Sequence, residues 1–163
     1  MDAANQPIPA ERMREIRDEM AAQGRRLVFT NGCFDILHPG HVRYLRFARE
    51  QGDALVVGLN TDASVRRGKG PKRPINSEED RAEVLLGLAA VDYVVLFDDD
   101  EPKDLVAQLL PQVLVKGRDW AHYVSGREVV EANGGEVVLA DLVEGRSTTS
   151  TIDRVLDAYG SQE

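Results

Sequence analysis

The feature that most limits how this chain can fold is an alternation. Five short apolar runs, Arg26–Thr30, Ala54–Leu59, Tyr93–Phe97, Val113–Lys116 and Glu136–Ala140, are separated by longer stretches with helical spacing. Runs that are apolar through most of their length read as strands covered on both faces. Strand and helix in turn predict right-handed crossovers and a single parallel sheet, an α/β fold. Helices are expected at Ala10–Gln23, Pro39–Gln51, Ser77–Ala90, Pro102–Leu110, Gly126–Asn133 and Thr148–Tyr159. Their ends carry recognisable punctuation. Pro39 suits a first helical turn, Ser77-Glu-Glu-Asp80 opens in capping-box style, and Gly24 and Gly134-Gly135 are stops. The leading helix, residues 1–24, precedes one domain spanning 25–163.

A chain of 163 residues can bury one good-sized core and is tight for two. One cysteine, Cys33, excludes an internal disulfide framework and a cysteine-based structural zinc site. No apolar run approaches the ~20 residues of a membrane span. The first residues lack a basic stretch followed by an apolar one, so no secretory signal is visible and the expected address is the cytoplasm. The net charge of −8 argues against nucleic acid or anionic membrane as partners, since both need an extended basic face.

In a parallel sheet the site lies beyond the carboxyl ends of the strands, near the switch in strand order. After the first strand comes Thr30-Asn-Gly-Cys-Phe-Asp-Ile-Leu-His38-Pro-Gly-His41. Gly32 would let backbone approach a ligand. His38 and His41 share one face at a helix start, near the positive end of its dipole, which makes a phosphate site. Two other readings stand beside this one: histidines that cap the helix and pack locally, and a zinc site of His38, His41 and Cys33. After the second strand, five of the eight residues 66–73 are basic (Arg66, Arg67, Lys69, Lys72, Arg73). With its glycines and prolines, this run reads as a loop that clamps an anion. It is not a GxGxxG fingerprint, and no Walker A sequence occurs. After the fourth strand, Lys116-Gly-Arg-Asp-Trp120 could frame a base and ribose. After the fifth, Ser147, Thr148 and Thr149 are either ordinary N-caps or phosphate ligands. Asp98-Asp-Asp-Glu101 reads as a solvated lead-in to a helix, not a metal site.

Gly32-Cys-Phe34-Asp35-x-x-His38-x-Gly40-His41 resembles the HxGH signature of the nucleotidyltransferase superfamily. Residues 26–156 together resemble the bacterial heptose 1-phosphate adenylyltransferases. The likeness is carried by Phe29-Thr-Asn-Gly-Cys-Phe-Asp, Asn60-x-Asp62-Ala-Ser, Lys69-Gly-Pro, Arg73-Pro, Glu79-Asp-Arg-Ala-Glu-Val, Leu114-Val-Lys-Gly and Val143-Glu-Gly-x-Ser-Thr-Thr. It implies a Rossmann-like three-layer sandwich with strand order 3-2-1-4-5. The implied activity is transfer of AMP from ATP to D-glycero-D-manno-heptose 1-phosphate, as the β anomer, for lipopolysaccharide core synthesis. Arg118 and Trp120 depart from the expected pattern. Asp119-Trp120 also resembles the glycerol-3-phosphate cytidylyltransferases, but their arginine two residues before Glu-Gly is Leu142 here. A cytidylyltransferase acting on a polyol phosphate is the second reading, and a non-catalytic nucleotide-binding module the third.

The resemblance implies roles residue by residue. His38, His41 and Lys69 would be catalytic. Thr30, Asn31, Gly32, Cys33, Phe34, Gly40, Lys116, Gly117, Asp119, Ser147, Thr148 and Thr149 would join the histidines in binding nucleotide. Asp35, Asn60, Lys69, Lys72, Arg73 and Arg81 would bind the acceptor. Mg²⁺ would come with ATP, held mainly by its phosphates, with no metal ligands from the chain. A homo-oligomer, most simply a dimer, and a separate sugar kinase to supply the acceptor complete the expectation.

Overall fold

The structure is a computed structural model and describes residues 6–160. Residues 1–5 and 161–163, the outermost parts of the two expected segments, lie outside the described residues. The element order is α1 (Ala10–Ala22), β1 (Leu27–Gly32), α2 (Pro39–Arg49), β2 (Ala54–Asn60), α3 (Asp62–Lys69), α4 (Glu78–Leu86), β3 (Tyr93–Phe97), α5 (Lys103–Leu109), β4 (Val113–Gly117), α6 (Arg127–Ala132), β5 (Glu136–Ala140) and α7 (Thr148–Tyr159). A single 3₁₀ turn, Arg118–Trp120, follows β4. All five strands are parallel, in the order β3-β2-β1-β4-β5. The Rossmann-like architecture and strand order expected from the sequence are both present.

Alternate residues of each strand point to opposite faces, so the sheet builds two cores. Leu27, Phe29, Ala54, Val56 and Leu114 pack on one face with Met13 and Met20 of α1 and Leu105, Val106 and Leu109 of α5. Val28, Leu55, Val57, Leu59, Val113 and Val115 pack on the other with Leu45 and Ala48 of α2 and Ala82 and Leu85 of α4. Full burial of one such side chain is worth roughly 1.5–3 kcal/mol. Gly58 shows how tight the layers are: a Cβ there would lie 2.8 Å from Cζ of Phe29. The leading helix is therefore part of the core rather than an appendage. It also caps α5, where Arg17 Nε donates to the carbonyl of Leu110 at 2.7 Å and Arg14 Nη1 to that of Gln108 at 2.9 Å.

One prediction fails. Residues 62–69 form helix α3 rather than a loop. Thr61 caps it, accepting from Ser64 N–H at 3.2 Å, and Asp62 lies in the first turn. Arg66, Arg67 and Lys69 lie in the last turn, where cations favour the dipole. The expected break comes only at Gly70, with φ 96°. The basic residues are thus divided between a helix end and the following loop.

The sheet opens where the order reverses. β1 pairs with β2 along its whole length, from Leu27↔Ala54 to Gly32↔Leu59. With β4 it pairs only at Val28↔Val113 and Phe29↔Leu114. Beyond that the strands part. Thr30 Oγ1 donates to the Val115 carbonyl at 2.9 Å, and the Tyr44 hydroxyl donates to it at 3.1 Å. Side-chain hydroxyls thereby satisfy a backbone acceptor that no strand neighbour reaches. A crevice starts at this fork.

Candidate active site

The crevice widens into a cavity of about 860 Å³ beyond the carboxyl ends of β1, β2 and β4. Six stretches line it: residues 31–44, Asn60 with the end of α3, Arg73, residues 100–102, residues 116–125, and residues 141–149.

Beyond β1 the backbone turns sharply. Phe34 has φ 45°, in the left-handed region that a bulky residue occupies only when its surroundings hold it there. Its ring is buried, and a Cβ on Gly32 would lie 2.8 Å from Phe34 Cε2. Gly32 is thus needed for its neighbour's ring as well as for open backbone at the cavity. Asp35 is buried and accepts from Arg73 Nε at 2.7 Å, Ile75 N–H at 2.8 Å and Asn76 N–H at 2.9 Å. Burial pushes its carboxyl up, but these donors outweigh burial and the net shift is downward. Asp35 therefore lashes the loop after α3 to the tip of β1, and its carboxylate is already committed.

His38 occupies the N-cap position of α2 and Pro39 its first turn. The His38 side chain makes no capping bond. The rings of His38 and His41 stack instead, centroids 3.8 Å apart at 27°. Phe34 backs the pair, 5.3 Å from His41. The Nδ1 atoms of both rings, and Oδ1 of Asn31, are buried without hydrogen-bond partners. Burial, then the neighbouring His38, pushes His41 down to about 4. Burial, then Arg146, lowers His38. Both rings are therefore neutral near pH 7 in the free protein. A Cβ on Gly40 would come within 2.9 Å of the His38 ring, so only glycine leaves that ring its place. Among the described residues no three His, Cys, Asp or Glu side chains gather as metal ligands.

Cations surround the pair unevenly. Arg67, Lys69 and Arg73 line the cavity, whereas Arg66 and Lys72 do not. Arg67 is held by Asp98 and, at 3.0 Å, by Asp100. Arg146 also lines the cavity, close against His38 and Gly40. On the β4 side, burial lowers Lys116, while Asp119, Cys33 and Glu101 oppose the shift. Lys116 Nζ lies 5.6 Å from the Trp120 ring centre, in cation–π range. Trp120 itself is 49% exposed at the cavity edge. Ser147 caps α7 in a capping box with Ser150, and Ser147, Thr148 and Thr149 line the wall. Thr148 Oγ1 also donates to the Ile36 carbonyl at 3.2 Å, joining the starts of α7 and α2. The N-termini of both helices border one cavity, an arrangement suited to anions.

Most of the residues expected from the sequence meet here: Asn31, Gly32, Cys33, Phe34, Asp35, His38, Gly40, His41, Asn60, Lys69, Arg73, Lys116, Gly117, Asp119 and Ser147–Thr149. Three do not. Thr30 is fully buried below the floor, bonded to Tyr44 and Val115. Lys72 is exposed and does not line the cavity. Arg81 is buried, its guanidinium engaged by the carbonyls of Cys33, Asn60 and Asn76 and by Asp62 at 2.8 Å. Four of its five N–H donors are thus engaged within the chain, and Arg81 ties the strand ends together. Three features were missed. Asp100, read as a solvated lead-in residue, holds Arg67 at the rim. Glu101 accepts from the Tyr123 hydroxyl at 2.7 Å and from Ser125 at 3.1 Å. Arg146 stands beside the histidines. The first two pairings join positions more than twenty residues apart, beyond the reach of local pattern.

The family model described as cytidylyltransferase-like matches residues 29–152. The bifunctional protein HldE of Geobacter sulfurreducens is 58% identical over 142 residues, covering 86% of this chain and 29% of that protein. The same-named protein of Syntrophotalea carbinolica is 53% identical over 150 residues, covering 91% and 31%. The chain thus spans about three tenths of the length of these curated relatives. Among solved structures, the lipopolysaccharide core biosynthesis protein of Thermoplasma volcanium superposes with a TM-score of 0.60 at 28% identity, covering 76% of this chain and all of that one. Pantoate-beta-alanine ligase of Francisella tularensis, at 14% identity and a TM-score of 0.58, covers 95% and 78% and shares the fold. Sequence match, strand order and the stacked histidines at the mouth of β1 agree: the chain belongs to the cytidylyltransferase-like family of nucleotidyltransferases.

Proposed function

We propose that this chain transfers AMP from ATP to D-glycero-β-D-manno-heptose 1-phosphate and releases pyrophosphate. The observation that carries the chemistry is the stacked, half-buried His38–His41 pair, each ring with a buried Nδ1 that has no hydrogen-bond partner, at the junction of two helix N-termini. The heptose and the lipopolysaccharide setting rest on the relatives: proteins named bifunctional HldE, and a structure named for lipopolysaccharide core biosynthesis.

In this reading the acceptor's phosphate oxygen attacks the α-phosphorus, a new P–O bond forms, and the α–β bridging oxygen leaves with pyrophosphate. The acceptor is already an anion at neutral pH, so no general base is needed. Catalysis reduces to alignment and stabilisation of charge. His38 and His41 bind the phosphates that gain charge, and Arg146 supports them from beside the ring stack. Lys69 and Arg73 neutralise charge on the acceptor side. Asp35 holds Arg73 in place and leaves direct contact to its neighbours. Ser147–Thr149 receive the outer phosphates, and Lys116 and Trp120 border the base. Mg²⁺, bound to the triphosphate oxygens, would supply further charge neutralisation. A sugar kinase would supply the acceptor, and the cytoplasm is the matching location.

The test is a pyrophosphate-release screen of ATP and CTP against sugar 1-phosphates and polyol phosphates. Turnover with ATP and the heptose phosphate is expected. Turnover only with CTP and a polyol phosphate would transfer the assignment to the cytidylyl reading. Nucleotide binding without turnover on any acceptor would make the chain a binding module.

A further inference from the structure

The cavity has a stretch of wall that the proposed reaction leaves unused. It is built by Glu101, just before α5, and by Tyr123 and Ser125, just before α6. Helices α5 and α6 cover one face of the sheet and α2 the other, so this wall and the histidines stand on opposite sides of the strand tips. The wall is firmly seated. Pro102 is buried, Ser125 is 6% exposed, and a Cβ on Gly126 would lie 2.8 Å from Cγ1 of Val106, so the starts of α5 and α6 are in contact. Five carboxylates line the cavity, and their partners differ. Asp35, Asp100 and Asp141 are paired with Arg73, Arg67 and Arg118. Asp119 lies against Gly117. Glu101 is exposed to the cavity and has no cation within ion-pair distance among the described residues. Its Oε2 accepts from the Tyr123 hydroxyl at 2.7 Å and from Ser125 Oγ at 3.1 Å, which holds the carboxylate in place, and Oε1 has no partner.

A carboxylate without a cation repels phosphate, so this wall suits neither phosphoryl group. It can accept hydrogen bonds from hydroxyls, and such charge-assisted bonds are roughly twice as strong as neutral ones. In the proposed reaction one part of a reactant has no place yet, the uncharged, hydroxyl-bearing ring of the acceptor. We infer that Glu101 accepts hydrogen bonds from hydroxyls of the acceptor's sugar through Oε1, and thereby selects a polyhydroxylated acceptor over other phosphate monoesters; the inference rests on the proposed transfer to a sugar phosphate. Lys69 and Arg73 hold the acceptor's phosphate, and the sugar extends toward the starts of α5 and α6. Tyr123 and Ser125 are positioning residues, which engage Oε2 and leave Oε1 to the cavity. An acceptor without hydroxyls there strips water from the carboxylate and returns nothing, which is the source of the discrimination.

Calorimetric titration of the full chain, saturated with the non-reacting analogue α,β-methylene ATP, tests this. The ligands are D-glycero-β-D-manno-heptose 1-phosphate, inorganic phosphate and ethanolamine phosphate. The parent chain should bind the heptose phosphate most tightly. Glu101→Ala should weaken that binding about tenfold, the loss of one charge-assisted hydrogen bond, and leave the binding of inorganic phosphate as it was. Tyr123→Phe should weaken it severalfold in the parent and add nothing once Glu101 is alanine, a coupling that a merely structural role would not produce. Unchanged heptose phosphate binding in Glu101→Ala overturns the inference, as does equal weakening of inorganic phosphate. Ethanolamine phosphate bound more tightly than the heptose phosphate also overturns it, since the carboxylate then reads a cation. Pyrophosphate release separates this inference from the proposed activity. A parent chain that binds the heptose phosphate but releases no pyrophosphate from ATP loses the activity, while the titrations still decide the role of Glu101. A parent chain that does not bind the heptose phosphate overturns both.

Discussion

Nη1 of Arg81 donates to the carbonyl of Cys33 across 2.7 Å, and the same nitrogen reaches the carbonyl of Asn60 at 2.9 Å. One buried guanidinium on α4 thus ties the tips of β1 and β2. Arg81→Met leaves these acceptors, and that of Asn76, unpaired, at a cost on the order of 3 kcal/mol. Arg81→Lys should recover little, because a single ammonium cannot span the same fork. Urea denaturation measures both, and a midpoint within error of the unaltered chain would show that the fork carries no load.

His41 gives the protein a defined response to acid. Its imidazole titrates near 4 in the folded chain and near 6.5 when unfolded. Between these values the unfolded chain binds more protons, so stability rises with pH. Acidification from pH 7 to pH 4 therefore costs stability through this residue, and the lowered His38 acts in the same direction. His41→Asn should flatten the fall in Tm over that window. Titration with inorganic triphosphate should raise the midpoint of His41 in proton–nitrogen NMR spectra, because a bound anion favours the charged ring.

Gly40→Ala separates positioning from folding. Its φ is not in the left-handed region, so the backbone accepts alanine, but the added Cβ meets the His38 ring at 2.9 Å. The ring must move, and a displacement near 1 Å at reacting groups costs on the order of 10²-fold in rate. Pyrophosphate release should fall by that order while Tm shifts only slightly. An unchanged rate would remove His38 from the reacting geometry.

Asp35→Asn should destabilise the chain at neutral pH by loosening Arg73 and the N–H groups of Ile75 and Asn76. The folded carboxyl is held below its ordinary value, so its contribution is complete above about pH 3.9 and is lost as pH falls through the folded pKa. The gap in denaturation midpoint between variant and parent should therefore be full at pH 7 and shrink towards pH 3. A gap independent of pH would mean that the charge of Asp35 is not what holds the loop.

Much of this was legible in the residues. Strands of apolar residues flanked by helices give one parallel sheet, and Pro39, Ser77 and Gly134 mark helix ends close to where they occur. The HxGH segment led directly to the stacked pair. What escaped depends on partners distant in the chain. Arg67, Gly68 and Lys69 look like loop until Thr61 is seen to cap them. Arg81 carries a charge and invites a ligand, yet α4 turns it inward, where three carbonyls converge. Asp100 looks solvated because Arg67 lies thirty-three residues earlier.

The fork between β1 and β4 has a consequence for how this fold can diversify. Strands β2 and β3 leave β1 on one side and carry α3, Lys69 and Arg73. Strands β4 and β5 leave on the other and carry Lys116, Trp120 and the start of α7. The two walls meet through β1 and the loop after it, and again where Glu101 accepts from Tyr123 and Ser125, so most of either wall can change in sequence without shifting the register of the other. A lineage could exchange one reactant for another by rewriting a single wall, while inheriting the histidines at the hinge unchanged.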